Sequence, residues 1–323
     1  MRAGLVGVLV AGLAGLAPAP APAAVQTLVV PAASSSLPAT WHEVFHVGYG
    51  RKKRLLGTSR GGDSGTLRIG PEYGAPGPDG SWWFLDAAKQ RLAHYSRTGR
   101  YLGQVRIPQR LLVGGRYFQW QLPHVLANGW LVAQRLTPSG TSLLRLRDDR
   151  LDEIRVAGRR PASLTYDDGK RLYGYVGKHR LVSVNPRSGA MKAVAAYRTP
   201  SGSHFTLEDD FDHGSIRVGS TVLPTRTTSG AVAHVGLEAR VGADDVLHLF
   251  LLGYGDDHES VQLVGGVSVT LAGVASAVDR LPNPFSEADP GSPAHLVVAP
   301  GSSTPMLVYV LPDGVHVYAR TGS

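Results

Sequence analysis

The chain of 323 residues predicts an all-β domain. Three observations carry this reading. Beyond residue 40, no window sustains an apolar spacing of 3.6 residues over three turns, the mark of an amphipathic helix. Short apolar runs instead alternate with clusters of Gly, Asp, Asn and Pro every eight to twelve residues or so, the spacing of a sandwich, barrel or propeller. Runs such as 81–85 and 246–252 are almost continuously apolar, so both faces of those strands are expected to be dry. A sandwich strand with one wet face alternates more cleanly, whereas small sheets packed on both sides describe a single β-propeller.

Taken in order, residues 1–24 read as a secretory signal. Arg2 gives the positive start, 5–16 an apolar run and 21–24 a small-residue cleavage site. The run is shorter than the ~20 residues that a membrane span needs. A retained N-terminal anchor is the alternative, and the lack of any Cys excludes a lipoprotein anchor. Residues 25–40, rich in Ala, Ser and Pro, form a linker with little to bury. Residues 41–323 are then one β-propeller domain, with no composition shift to divide it. The expected product is a secreted monomer without a transmembrane span.

Within the domain, the first blade takes strands near 66–70, 81–86, 91–96 and 101–107, turned at Asp79-Gly80 and Thr98-Gly99. The second takes 123–127, 130–136, 141–147 and 151–156 around Asn128-Gly129. The third takes 162–166, 171–176, 180–184 and 191–197 around Asp168-Gly169. Asn-Gly and Asp-Gly admit the positive φ that tight hairpins require. Residues 203–223 are irregular but are counted as a blade, and a later one takes 231–240, 246–254, 259–264 and 267–273. The last unit, at 294–299, 306–310 and 315–319 around Asp313-Gly314, has only three strands. Its unpaired edge calls for a fourth, and residues 41–47 supply it. The result is about six four-stranded blades closed by pairing of an N-terminal strand with the C-terminal blade.

Pro78-Asp79-Gly80, Asp86, Arg91-Leu92, Tyr95 and Gly99 together resemble a blade of six-bladed propellers of the NHL-repeat and TolB-like type. Leu172-Tyr173, the run 181–184 and Ser188-Gly189 resemble it more loosely. The resemblance covers two or three units. It implies the fold and leaves the activity open, because this fold hosts binders, lyases and lactonases alike.

Several motifs suggest chemistry. His42-Glu43-Val44-Phe45-His46 fits H-E-x-x-H, but zinc peptidases need it on a helix so that both imidazoles meet one ion. On a strand rising about 3.3 Å per residue the two His stand roughly 13 Å apart, too far to share a metal. Tyr49 and Lys52 also stand where the extended signature has Gly and His. The motif is therefore read as the closing strand. Ser59 and Ser64 sit in Gly-rich nucleophile-like patterns that lack the helix, or the preceding His and Asp, such sites require. They are read as one loop.

Glu208, Asp210 and Asp212, if extended, share one side and are the candidate ligands for a hard cation such as Ca²⁺; a solvated loop is the alternative. No other cofactor is expected. The acidic run at 256–259 reads as a hairpin tip. Arg51, Lys52, Lys53 and Arg54 are the candidate anion-binding run, with a wet loop as the alternative. The five Trp are read as packing between blades.

Net charge is +8, carried by Arg more than Lys, and there is no Cys, so thiolate chemistry and zinc–sulfur sites are excluded. A basic surface attracts anionic polymers in general, and no nucleic-acid motif is present. With no complete catalytic constellation, the leading expectation is a non-catalytic binding or scaffold protein. It recognises a protein or an anionic envelope polymer through its loop face. The competing expectation is a metal-assisted hydrolase or lyase with its site at the central channel.

Overall fold

The computed structural model describes residues 26–321 apart from 62–66, 70, 72, 113–119, 138, 159, 178–179, 255–260 and 283–293. The expected leader at 1–24, Ser64 and the acidic tip at 256–259 lie outside the described residues.

Among the described residues, the chain forms six four-stranded sheets and two two-stranded ribbons, the architecture of a β-propeller. The first sheet holds Gly74–Pro76, Trp82–Asp86, Arg91–Tyr95 and Tyr101–Arg106. The second holds Gln121–Val125, Leu131–Thr137, Gly140–Arg147 and Arg150–Arg155. The third holds Ala162–Asp167, Leu172–Val176, Arg180–Val184 and Met191–Ala193. Each is a meander whose order in space follows its order in sequence. Gly80, Gly129 and Gly169 turn their first hairpins with φ of +78°, +81° and +80°, as the Asp-Gly and Asn-Gly pairs predict.

The remaining sheets borrow from the N-terminal segment or depart from the expected strands. The fourth holds Leu207–Asp210, Ser215–Val218 and Thr221–Thr227, and its fourth strand is Leu28–Val30, parallel to Thr221–Thr227. Part of the segment expected as a linker with little to bury is thus structural: Leu28 is 1% exposed and Val30 0%. Ala32 and Ser34 then bridge to Leu263 and Pro282 of the next unit, and Arg280 donates to the carbonyls of Ala32 and Ala33. Trp41–Gly48 completes the sixth sheet beside Ala294–Val298, Pro305–Leu311 and Gly314–Arg320. As expected, it is a strand antiparallel to Gly314–Arg320, with Phe45 opposite Val317.

Three expected strands are placed differently. Residues near 66–70 do not start the first sheet; Leu67–Ile69 pairs with Ser59–Gly61 in a separate ribbon, and Gly74–Pro76 is the inner strand. That strand was hidden because Gly and Pro both argue against one. Gly74 is needed because a Cβ there would lie 2.5 Å from the Phe84 ring, and Pro76 is tolerated on an edge. In the fifth sheet, the runs 259–264 and 267–273 are one strand, Val261–Val269, between Leu247–Tyr254 and Asp279–Arg280. Its first strand is His234–Val241. Gly265-Gly266 looked like a turn but lies mid-strand, where the neighbouring chain passes closely: a Cβ on Gly265 would meet Val278 at 2.6 Å.

The core lies between sheets. Leu85 and Leu92 of the first meet Val125 and Leu144 of the second. Val132 and Leu143 meet Leu164 and Val182 of the third. Phe250 and Val264 meet Leu296 and Leu307. Phe45 and Val317 of the sixth sheet pack on Trp82 and Phe84 of the first, with ring centroids of Phe45 and Trp82 5.6 Å apart. Each such side chain contributes about 1.5–3 kcal/mol of burial. Trp41, Trp82 and Trp120 are all buried in these seams, which is the packing role expected of them.

Candidate functional site

The first strands of the sheets face a common axis, and two cavities lie along it. The smaller, about 230 Å³, is lined by Tyr73, His124, Asp167, Glu238, Arg240 and His295 among others, with turn residues such as Lys170 and Gly301 at its rim. The larger, about 860 Å³, is walled by Tyr175, Tyr197, Phe205, Leu207 and Leu237. Leu122, Tyr166, Glu238, Arg240, Val241 and His295 border both, so a charged pair stands at the waist between them.

Local strand geometry places these groups. Glu238 and Arg240 are two apart in His234–Val241 and therefore project to one side. Arg240 Nη2 donates to Glu238 Oε1 at 2.8 Å, while Nη1 donates to the carbonyls of Ala239 and, in the third sheet, Thr165. Glu238 Oε2 accepts from the Leu296 amide of the sixth sheet at 2.9 Å and lies 3.6 Å from His295 Nδ1. Burial pushes the Glu238 carboxyl up, but the Arg240 guanidinium, His295 and the Leu296 amide outweigh it and hold it down at about 2. His295 in turn lies against the Tyr73 ring, centroids 4.7 Å apart.

In the second sheet, the strand Gln121–Val125 carries a register shift opposite Val132–Gln134 and a left-handed Leu122, φ +45°. A non-glycine residue in that region is uncommon and marks a constrained backbone. Two positions on, His124 Nδ1 bonds Asp167 Oδ2 of the third sheet at 2.7 Å. His124 and His295 thus share a design. Each ring has Nδ1 turned to a carboxylate, and each has a buried Nε2 with no hydrogen-bond partner. Buried polar atoms are nearly always satisfied, by protein, water or ligand, so two orphans on residues that line one cavity single out this wall as the candidate site.

The sequence-derived candidates fall outside the smaller cavity, although Glu208 borders the larger one. Arg51, Lys52, Lys53 and Arg54 are all exposed, on a loop whose backbone is clamped by the first sheet. Arg91 donates to the carbonyls of Lys53 and Leu55, Lys89 to those of Lys52 and Leu55, and Tyr95 to that of Arg54. Arg91 is fixed by the fully buried Asp86 at 2.8 Å, and Asp86 also caps the turn Ala87–Lys89. The residues that carried the propeller resemblance therefore hold the basic loop in place. That turn joins the second and third strands, at the opposite end of the sheet from Asp79-Gly80, so the loop does not border the smaller cavity.

Glu208 faces Arg217 at 3.8 Å, and Asp210 bonds His213 at 2.8 Å. With Asp212 they form no metal-binding group; among the described residues, the one group with ligand spacing is His46, Asp313 and His316. Ser59 lies in the ribbon strand Ser59–Gly61. Sequence reasoning missed His124, Glu238, Arg240 and His295. The available signal was Glu238-Ala239-Arg240, charges alternating within an otherwise apolar strand.

A family model described as a domain of unknown function, DUF7485, matches residues 39–320. No curated protein matches the chain. Solved structures similar to it include an exported protein from Bacteroides fragilis, 9% identical, covering 92% of this chain and 100% of that one at a TM-score of 0.46. A protein from Lactobacillus plantarum is 14% identical over 83% and 91% of the two chains, TM-score 0.40. The β-propeller domain of Cps50 from Myceliophteria thermophila is 10% identical over 83% and 100%, TM-score 0.38. Similarity at this level is no guide to activity.

Proposed function

We infer the role of the protein from its own geometry, because the chain belongs to the DUF7485 family, a domain of unknown function. The reading is a secreted binding propeller of NHL-repeat or TolB-like type that takes a protein or an anionic envelope polymer at its loop face. The ligand's carboxylate or phosphate enters the smaller axial cavity. One observation carries it: His124 and His295 line that cavity, each braced by a carboxylate and each with an unpartnered Nε2. An anion entering there would meet two imidazoles, each oriented from behind by a carboxylate, Asp167 or Glu238. Arg240 is already committed to Glu238 and two carbonyls, so it shapes the site rather than binding. No helix of the described residues is long and apolar enough to cross a membrane.

The test is titration of the purified protein with polyphosphate and with an acidic polysaccharide at low and high salt. Binding should weaken with salt and fall tenfold or more in His124→Ala and His295→Ala. Absent or salt-insensitive binding overturns the anionic ligand.

The bond between Asp167 and His124 favours a second reading, a metal-assisted hydrolase or lyase at the channel. A carboxylate-oriented imidazole with an unpartnered Nε2 is equipped to take a proton or hold an ion. Metal analysis separates the two: an ion lost specifically on His124→Ala supports the enzyme.

A further inference from the structure

We propose that His46, His316 and Asp313 form a divalent transition-metal site, best suited to Zn²⁺, that clasps the N-terminal strand to the C-terminal one. The inference is independent of the axial cavity. It uses half of the H-E-x-x-H motif in a way a helix would not. His42 and His46 sit on one strand, and the second imidazole at the site comes from across the sheet, where His46 is directly opposite His316.

The ligand groups are already gathered. The two imidazoles stack with centroids 4.5 Å apart and planes 18° apart. One ligand atom each from His46, His316 and Asp313 lies within 4.8 Å of the others. Zinc takes N and O ligands at about 2.0–2.2 Å, so a closure of roughly 1 Å, with the exposed His46 ring turning out of the stack, brings all three onto the ion with a position left for water. Two imidazoles with one carboxylate select a borderline-soft ion over Ca²⁺ or Mg²⁺, which prefer oxygen.

The surroundings support the same assignment. His316 Nδ1 bonds Glu43 Oε1 at 2.7 Å, the carboxylate–histidine pairing that orients metal-binding imidazoles. His316 Nε2 bonds Asp313 Oδ1 at 3.0 Å. The ion would take the place of the hydrogen shared between Nε2 and Asp313, and that proton goes to solvent. Gly314 makes the room: a Cβ there would lie 2.6 Å from His46 Nε2 and 2.6 Å from the Val47 carbonyl. It is not among the glycines with positive φ, so the turn itself does not demand it.

The test is calorimetric titration of the full chain with Zn²⁺, paired with thermal melts. We expect one ion per chain and a melting temperature that rises with Zn²⁺. His46→Gln, on an exposed side chain whose loss leaves the fold intact by circular dichroism, should abolish both effects. Glu43→Gln should weaken binding 10- to 100-fold through loss of the orienting bond. His42→Gln, opposite Ala319, should bind as the parent does. Absence of saturable one-to-one binding, or equal binding by His46→Gln, overturns the proposal.

Discussion

Glu238 concentrates the electrostatics of the axis in one side chain. Its carboxyl, 22% exposed, is near 4.5 when unpaired and about 2 in the fold. A depressed carboxylate stabilises the native state fully above its unfolded pKa, and that stability is lost as pH falls from about 4.5 towards 2. The difference is worth at most about 3 kcal/mol. Glu238→Gln is therefore expected to lower stability at pH 7 by about 2–3 kcal/mol and to flatten the loss between pH 5 and 2.5. Urea unfolding across that range measures it, and an unaltered acid limb in the variant refutes the assignment. At this scale the sequence was least legible. His124 and Asp167 are 43 positions apart, and Glu238 and Leu296 are 58, so no spacing rule could pair them.

Sheets were legible where turn chemistry marks each hairpin or an unpaired edge demands a partner, and illegible where Gly or Pro sits inside a strand or a distant segment completes the sheet. The second and third follow from Asn128-Gly129 and Asp168-Gly169 because turn chemistry is local. The fourth draws its outer strand from Leu28–Val30, some two hundred positions away, and nothing near Thr221–Thr227 announces a parallel partner. The basic loop shows the converse: its composition was plain, but not its rigidity. Arg91 and Lys89 hold four of its carbonyl contacts. The run 51–54 offers trypsin consecutive cleavage sites, yet cleavage requires the backbone to leave that clamp. Arg91→Ala should speed limited proteolysis there at least several-fold relative to the parent, followed by mass spectrometry of the fragments. Equal rates would show that the clamp does not restrain the loop.

Across the whole molecule, one stretch near the start of the chain serves three sheets. Residues 26–48 supply the outer strand of the fourth sheet, bridge to the fifth at Leu263 and Pro282, and complete the sixth. The sequence foretold only the last part, because the unpaired edge of the final unit demanded a partner while Leu28 and Val30 sat among small residues. A chain lacking residues 26–48 would expose the edge of Gly314–Arg320 and uncover the seam at Trp82 and Phe84. Open, apolar edges recruit other chains. The expected outcome is a melting temperature lower by 10 °C or more with light scattering on heating, and a deletion that melts like the parent would show the segment to be dispensable.

The contact between Glu43 and His316 spans 273 positions. Since a ribosome releases the chain from its first residue onwards, the strand at Trp41–Gly48 must wait, partnerless, while the intervening sheets are made. The completion of that sheet is therefore fixed by connectivity rather than by rate: five sheets can form as they emerge, but the sixth is finished only once Gly314–Arg320 has followed.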